Sequence, residues 1–296
     1  VGNLADIKYR MKGVSDTRQI TKAMETVSIA KMRKAMQVFK SNAEFFSKIR
    51  ETMRDIAYHT GNIDNEYFKN RKSGRALFVV IASDKGLCGS YNHNVLEVAK
   101  QEYEKFDKEK TTIFTVGHIA TTFFEKLGKV PDVEYMHIST KSMQRDAQKV
   151  VENILALYDL SLIDEVYTVY TVIDSHGVTK PDVLQLLPLQ QEKIIDKNQK
   201  ITAAQEDYFR ELEYDPSPES VLSILVKQYL QGVVYGAMVQ SNAAEHSCRR
   251  SAMSNATNNA QDILDKLNLE YNRERQATVT NEILEIITAS NIVTKN

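Results

Sequence analysis

A strand, a glycine-bearing loop and then a helix is the place where a doubly wound protein holds phosphate. Residues Ser83-Asp84-Lys85-Gly86-Leu87-Cys88-Gly89-Ser90-Tyr91-Asn92 occupy such a place. The run before them, Ala76-Leu77-Phe78-Val79-Val80-Ile81, is continuously apolar, as a strand buried on both faces requires. The loop matches neither GxGxxG nor GxxxxGK(S/T), so its glycines are read as serving the tight turn rather than a nucleotide. Cys88 stands where a nucleophile could sit. The elbow pattern, however, needs glycine at Ser90, and no histidine is placed beside the thiol to take its proton. A structural thiol is the favoured reading. His59, His93, His118, His137, His176 and His246 form no i,i+3 or i,i+4 pair, and H-E-x-x-H is missing. Carboxylates are spread at surface density, with no acid–base couple. The chain is expected to be non-catalytic, with no cofactor and no metal.

The elements around this loop alternate strand and helix. A helix is predicted near 93–108, a strand over Thr111 to Val116 and a helix after Gly117. A third strand follows over Val133 to Ile138, then an amphipathic helix from Ser142 to Leu160. Two more strands run over Glu165 to Ile173 and Val183 to Leu189. That alternation implies a mostly parallel, Rossmann-like sheet with helices on its faces. Residues 190–215 are polar and read as a linker with one short helix.

Long helices flank this α/β domain. Glu219 to Asn296 holds no proline and only Gly232 and Gly236, and Pro216 and Pro218 suit a helix start. Roughly 70 helical residues would span on the order of 100 Å, so the helix is expected to project from its own body. At the other end, Leu4, Ile7, Met11, Val14, Met32, Ala35, Phe39, Phe46, Ile49, Met53 and Ile56 lie on one heptad register, a coiled-coil seam. Arg18, Thr21, Glu25 and Ser28 interrupt it, and the apolar stripe is read as rotating there to Ile20, Met24 and Val27. The divisions expected are 1–60 for the first coiled-coil helix, 74–200 for the α/β domain, 201–218 for a linker and 219–292 for the second helix. From Gln240 to Asp262 the only large apolar side chain is Met253, so that stretch is expected to lie off its own core, flanked by a second helix and by other chains.

Composition limits the class. Hydrophobic residues make up 42% and charged residues 26% of the 296, values of a soluble protein. The net charge of −1 conceals a basic start, with 12 Lys and Arg against 6 Asp and Glu over residues 1–58. Two distant cysteines argue against a disulfide framework, and the absence of an 18-residue apolar run argues against a membrane span. With Val1-Gly2 leading directly into a helical pattern, no signal peptide is expected.

Three segments together resemble the γ subunit of F-type ATP synthases. Thr17-Arg18-Gln19-Ile20-Thr21-Lys22-Ala23-Met24-Glu25 with Lys31-Met32-Arg33-Lys34-Ala35 is similar to that family's first rotor helix. Ser83 to Gly89 is similar to its first strand-to-helix loop. Tyr271-Asn272-Arg273-Glu274-Arg275-Gln276-Ala277, followed by Thr280-Asn281-Glu282-Ile283 and Glu285-Ile286-Ile287, is similar to its C-terminal signature. The resemblance implies an antiparallel coiled coil inside a ring of α and β subunits, with the α/β domain on the membrane ring of c subunits beside the ε subunit. ATP chemistry then falls to β, nucleic acid has no part, and membrane contact is made only through the c ring.

Matched residue by residue, the family implies β contacts at Lys22, Met24 and Glu25, at Arg33 and Lys34, and at Arg275, Gln276, Thr280 and Glu282. Tyr214 and Asp215 match its contact with the c ring. The cysteine pair inserted in chloroplast members has no counterpart, which points to a bacterial enzyme at the cytoplasmic face of the plasma membrane, with a processed mitochondrial subunit as the alternative. Two other readings compete with the rotor. A nucleotide-binding α/β enzyme with helical arms would need ligand binding by residues 74–200. A non-rotary coiled-coil scaffold would need an unbroken apolar seam.

Overall fold

A computed structural model describes residues 4–60, 65–71, 73–174, 177–190, 214–215 and 217–293. The linker expected over 190–215 therefore lies almost wholly outside the described residues. Two compact units form: Ile29–Cys248, and Val1–Ser28 with Arg249–Asn296. Two helices run through both, α1 (Leu4–Thr60) and α5 (Pro218–Val293). Ser217 starts α5 by accepting the Ser220 N–H on its hydroxyl at 3.3 Å, just ahead of Pro218.

The larger unit is built on a five-stranded sheet of order β3-β2-β1-β4-β5. Its strands are β1 (Ala76–Ile81), β2 (Thr111–Val116), β3 (Val133–Tyr135), β4 (Glu165–Ile173) and β5 (Thr179–Leu187). The first four run parallel and β5 pairs antiparallel with β4. Between them lie α2 (Tyr91–Tyr103), α3 (His118–Lys126) and α4 (Met143–Asp159). The third strand stops three residues short of the predicted Ile138, and β5 begins at Thr179 rather than Val183.

The alternation of side chains along β1 explains the layering. Leu77, Val79 and Ile81 face one core with Val150, Ile154 and residues of the long helices, among them Met53 and Val234. Ala76, Phe78 and Val80 face the other, against Val95 and Leu96 of α2 and Phe124 of α3. All six β1 residues are buried, as the unbroken apolar run requires.

Within this unit α1 and α5 pack antiparallel. A Cβ on Gly232 would fall 2.0 Å from the Phe46 ring, and one on Gly236 would meet Phe39 at 3.9 Å. Gly232 thus makes room for Phe46, while Gly236 lies at ordinary contact distance from Phe39; the glycines are four residues apart on α5 and the phenylalanines seven apart on α1.

The first part of the stretch of α5 read from sequence as lying off its core, Ser241 to Arg249, is among the most buried parts of the helix, while Arg250 to Asp262 is exposed or half-buried apart from Met253 and Ala260. Ser241 is 1% exposed, and Ala243, Ala244, His246 and Ser247 are buried. The reason is close approach. Small side chains let α5 press on the domain, where the Ser241 hydroxyl accepts the Thr171 N–H of β4 at 3.1 Å. Ser241 also hydrogen-bonds the buried Tyr91 hydroxyl, and Cys248 sulfur lies 3.4 Å from the Thr179 hydroxyl. Burial, followed by the charge of Glu245, holds the Tyr91 phenol well above its ordinary pKa. Hydrogen bonding, not an apolar stripe, seats this segment.

Candidate partner interface

In the smaller unit the heptad register continues through its polar members. Thr21 and Ser28 are buried, while Ile20 is 60% and Val27 is 53% exposed. The expected rotation of the stripe toward Ile20 and Val27 does not occur. Polar layers replace apolar ones: the Thr21 and Thr257 hydroxyls meet at 2.8 Å, and the Arg18 guanidinium donates to Gln261 at 2.6 Å. These pairs descend along one helix as they climb the other, so the helices are antiparallel here too. The Ser28 hydroxyl donates a hydrogen bond to the Met24 carbonyl at 2.7 Å. The sequence signal for this arrangement was present in the uninterrupted 3-4 spacing of positions 14, 18, 21, 25 and 28; weighting hydrophobicity over register obscured it.

Ile20 and Val27 are thereby left outside. On α5 the last deeply buried residue is Leu267. Beyond it Leu269 is 71% and Ile286 is 69% exposed, and Val279, Ile283, Leu284 and Ile287 are exposed as well. An exposed apolar helix surface of this kind suits contact with another molecule.

The residues singled out from sequence distribute over these surfaces. Lys22 and Glu25 form an exposed-to-half-buried ion pair at 3.1 Å, with Met24 half-buried between them on α1. Such a pair adds little stability in water. Arg275, Gln276, Thr280 and Glu282 are all exposed on α5, and the Thr280 hydroxyl donates to the Gln276 carbonyl at 2.8 Å. Arg33 and Lys34 are exposed and belong to the larger unit. Tyr214 packs against that unit's core, while Asp215 beside it is exposed.

The strand-to-helix loop is closed by its own side chains. Asn92 accepts both the Ser83 N–H at 3.0 Å and the Ser83 hydroxyl at 2.9 Å, and its amide donates to Cys88 sulfur at 3.2 Å. Asp84 accepts the His118 N–H that opens α3. Over the carboxyl ends of β1 and β2, where a doubly wound fold takes its ligand, α5 leaves a cavity of only about 50 Å³. Asp84 and Glu245 line it with Ser241 and Asn242. That volume is far below the roughly 300 Å³ or more of a small-molecule site, and its carboxylates repel phosphate. Gly117 is irreplaceable at this end, since a Cβ there would stand 2.3 Å from the Ala82 carbonyl oxygen. Among the described residues no group of three His, Cys, Asp or Glu could hold a metal ion.

The fold defines a protein with an α/β domain on which two long helices, α1 and α5, are packed. Residues 3–293 match the family model described as ATP synthase. The ATP synthase gamma chain of Alkaliphilus metalliredigens is 39% identical over 287 residues, covering 97% of each chain. That of Acetivibrio thermocellus is 37% identical, over 97% of this chain and 98% of its own. A sodium-ion-specific ATP synthase gamma chain from Acetobacterium woodii is 34% identical over 96% and 97%. A chain in the rotational state 3 structure of the Euglena gracilis mitochondrial ATP synthase OSCP/F1/c-ring shares the fold. Its TM-score is 0.66 at 18% identity, over 98% of this chain and 94% of that one. The chain belongs to the ATP synthase gamma chain family.

Proposed function

We propose that this chain is the central-stalk rotor of an F-type ATP synthase, turning inside a ring of α and β subunits while its α/β domain rides with ε on the c ring. The observation that carries this reading is the exposed apolar surface of the long helices, at Ile20, Val27, Leu269 and Ile286, in a chain alike to gamma chains along its whole length. ATP chemistry takes place on β, and this chain is non-catalytic. Its β contacts are Lys22, Met24, Glu25, Arg33, Lys34, Arg275, Gln276, Thr280 and Glu282; its c-ring contacts are Tyr214 and Asp215. The site of action is the cytoplasmic face of a bacterial plasma membrane. Among the described residues no helix is long and apolar enough to cross a membrane, and docking on the c ring supplies the attachment.

The mechanism is differential contact. Two unlike helices cannot present the same face to three β subunits at once. Each β meets different side chains and takes a different nucleotide affinity, and rotation passes these states around the ring. Small polar and charged contacts bias β without arresting the shaft.

Membrane vesicles carrying the complex with and without this chain test the reading. ATP hydrolysis should drive ion uptake only when the chain is present. Equal uptake without it would remove the rotor from the account.

A further inference from the structure

We infer that the larger unit holds a binding site for a small aromatic carboxylate, in the cleft where α1 and α5 meet β4 and β5. The cavity there measures about 370 Å³, within the size range of small-molecule sites. Five aromatic side chains contribute to its walls, with Phe39, Tyr170, Tyr229 and Tyr235 around the space and Phe46 seated on Gly232. The Phe46 ring fills the place left open by Gly232 and Phe39 lies beside Gly236, so aromatic rings rather than bare helix backbone form that wall.

Charge decides the occupant. Among the described residues that line the cavity, Arg50 is the only group of full charge and none is a carboxylate. Among the described residues the Arg50 guanidinium makes no ion pair or hydrogen bond, and neither does the Gln240 amide across the cleft. A guanidinium and an amide without partners at the edge of an aromatic cavity suit a carboxylate whose ring lies inward. A cationic ligand would meet Arg50 unfavourably, and a purely apolar one would leave both donors unused. This cleft is separate from the carboxyl ends of β1 and β2 and from every residue assigned above to β or to the c ring.

Titration calorimetry of the full chain with biphenyl-4-carboxylate tests the inference, with biphenyl-4-carboxamide as the neutral control. We expect saturable one-to-one binding of the carboxylate and at least about tenfold weaker binding of the amide. Arg50→Gln should lower carboxylate affinity by a similar factor and leave the amide unchanged. Ala43→Trp, placed at an exposed position on the rim, should abolish binding of both while circular dichroism shows the helices intact. Absence of saturable binding overturns the inference, as does carboxylate binding that survives either substitution.

Discussion

Asp164 opens β4 at the foot of the sheet and gathers four donors: the Ser73 hydroxyl, the Arg75 N–H, and two guanidinium nitrogens of Arg75 at 3.2 and 3.1 Å. Burial acts to raise its pKa, but the bonds from Arg75 and Ser73 and the Arg75 charge outweigh it, so the carboxyl sits below its ordinary 3.8. A depressed carboxyl contributes stability that is complete above the unfolded value and lost as pH falls through the native one. Asp164→Asn should therefore cost about 2 kcal/mol in urea unfolding near pH 7. The gap from wild type should close as the pH falls below about 4. A gap that does not shrink as the pH falls below about 4 would show that the charge is not the stabilising feature.

At the same scale, Arg275→Ala with Gln276→Ala should lower ATP synthesis while the complex assembles in normal yield, since both side chains are exposed. Unchanged synthesis at equal yield would remove them from the β contact. Sequence revealed the type of these residues but not their setting. The closure of the Ser83 loop by Asn92 depends on a side chain nine positions away, which no glycine pattern encodes.

Among the elements, the strands and helices of the α/β domain were legible because hydrophobic period and turn residues agree there. The end of β3 and the start of β5 were not, since edge strands lack the continuous apolar run that marks β1. The first part of the polar centre of α5, Ser241 to Arg249, was misread for a different reason: hydropathy records apolar area and is blind to small residues that seat a helix by close approach. Gly232 belongs to the same logic. Gly232→Ala would overpack against Phe46 and should cost about 1–3 kcal/mol in thermal or urea unfolding. Adding Phe46→Ala should remove most of the clash, so the double variant should lose less than the sum of the two singles. Additive losses would mean that the two residues do not meet. On the shaft, Ile20→Ser with Val27→Ser should leave isolated-chain stability within about 0.5 kcal/mol, as for exposed positions. Assembly with α and β should weaken. A large drop in the isolated chain's stability would return these residues to the seam.

For the whole molecule, the order helix, α/β domain, helix followed from the placement of prolines, all five of which lie between 131 and 218. The partner surface was legible only in part, because exposure of Ile20, Val27 and the far end of α5 depends on which helix faces are covered in three dimensions. Apolar helix surface without cover also predicts that the isolated chain self-associates. The central claim is rotation, and the direct measurement is a probe fixed to the α/β domain of this chain in complexes with purified α and β, observed singly under ATP. Steps of one third of a turn are the expected result. Stable complexes that hydrolyse ATP with the probe stationary would contradict the account.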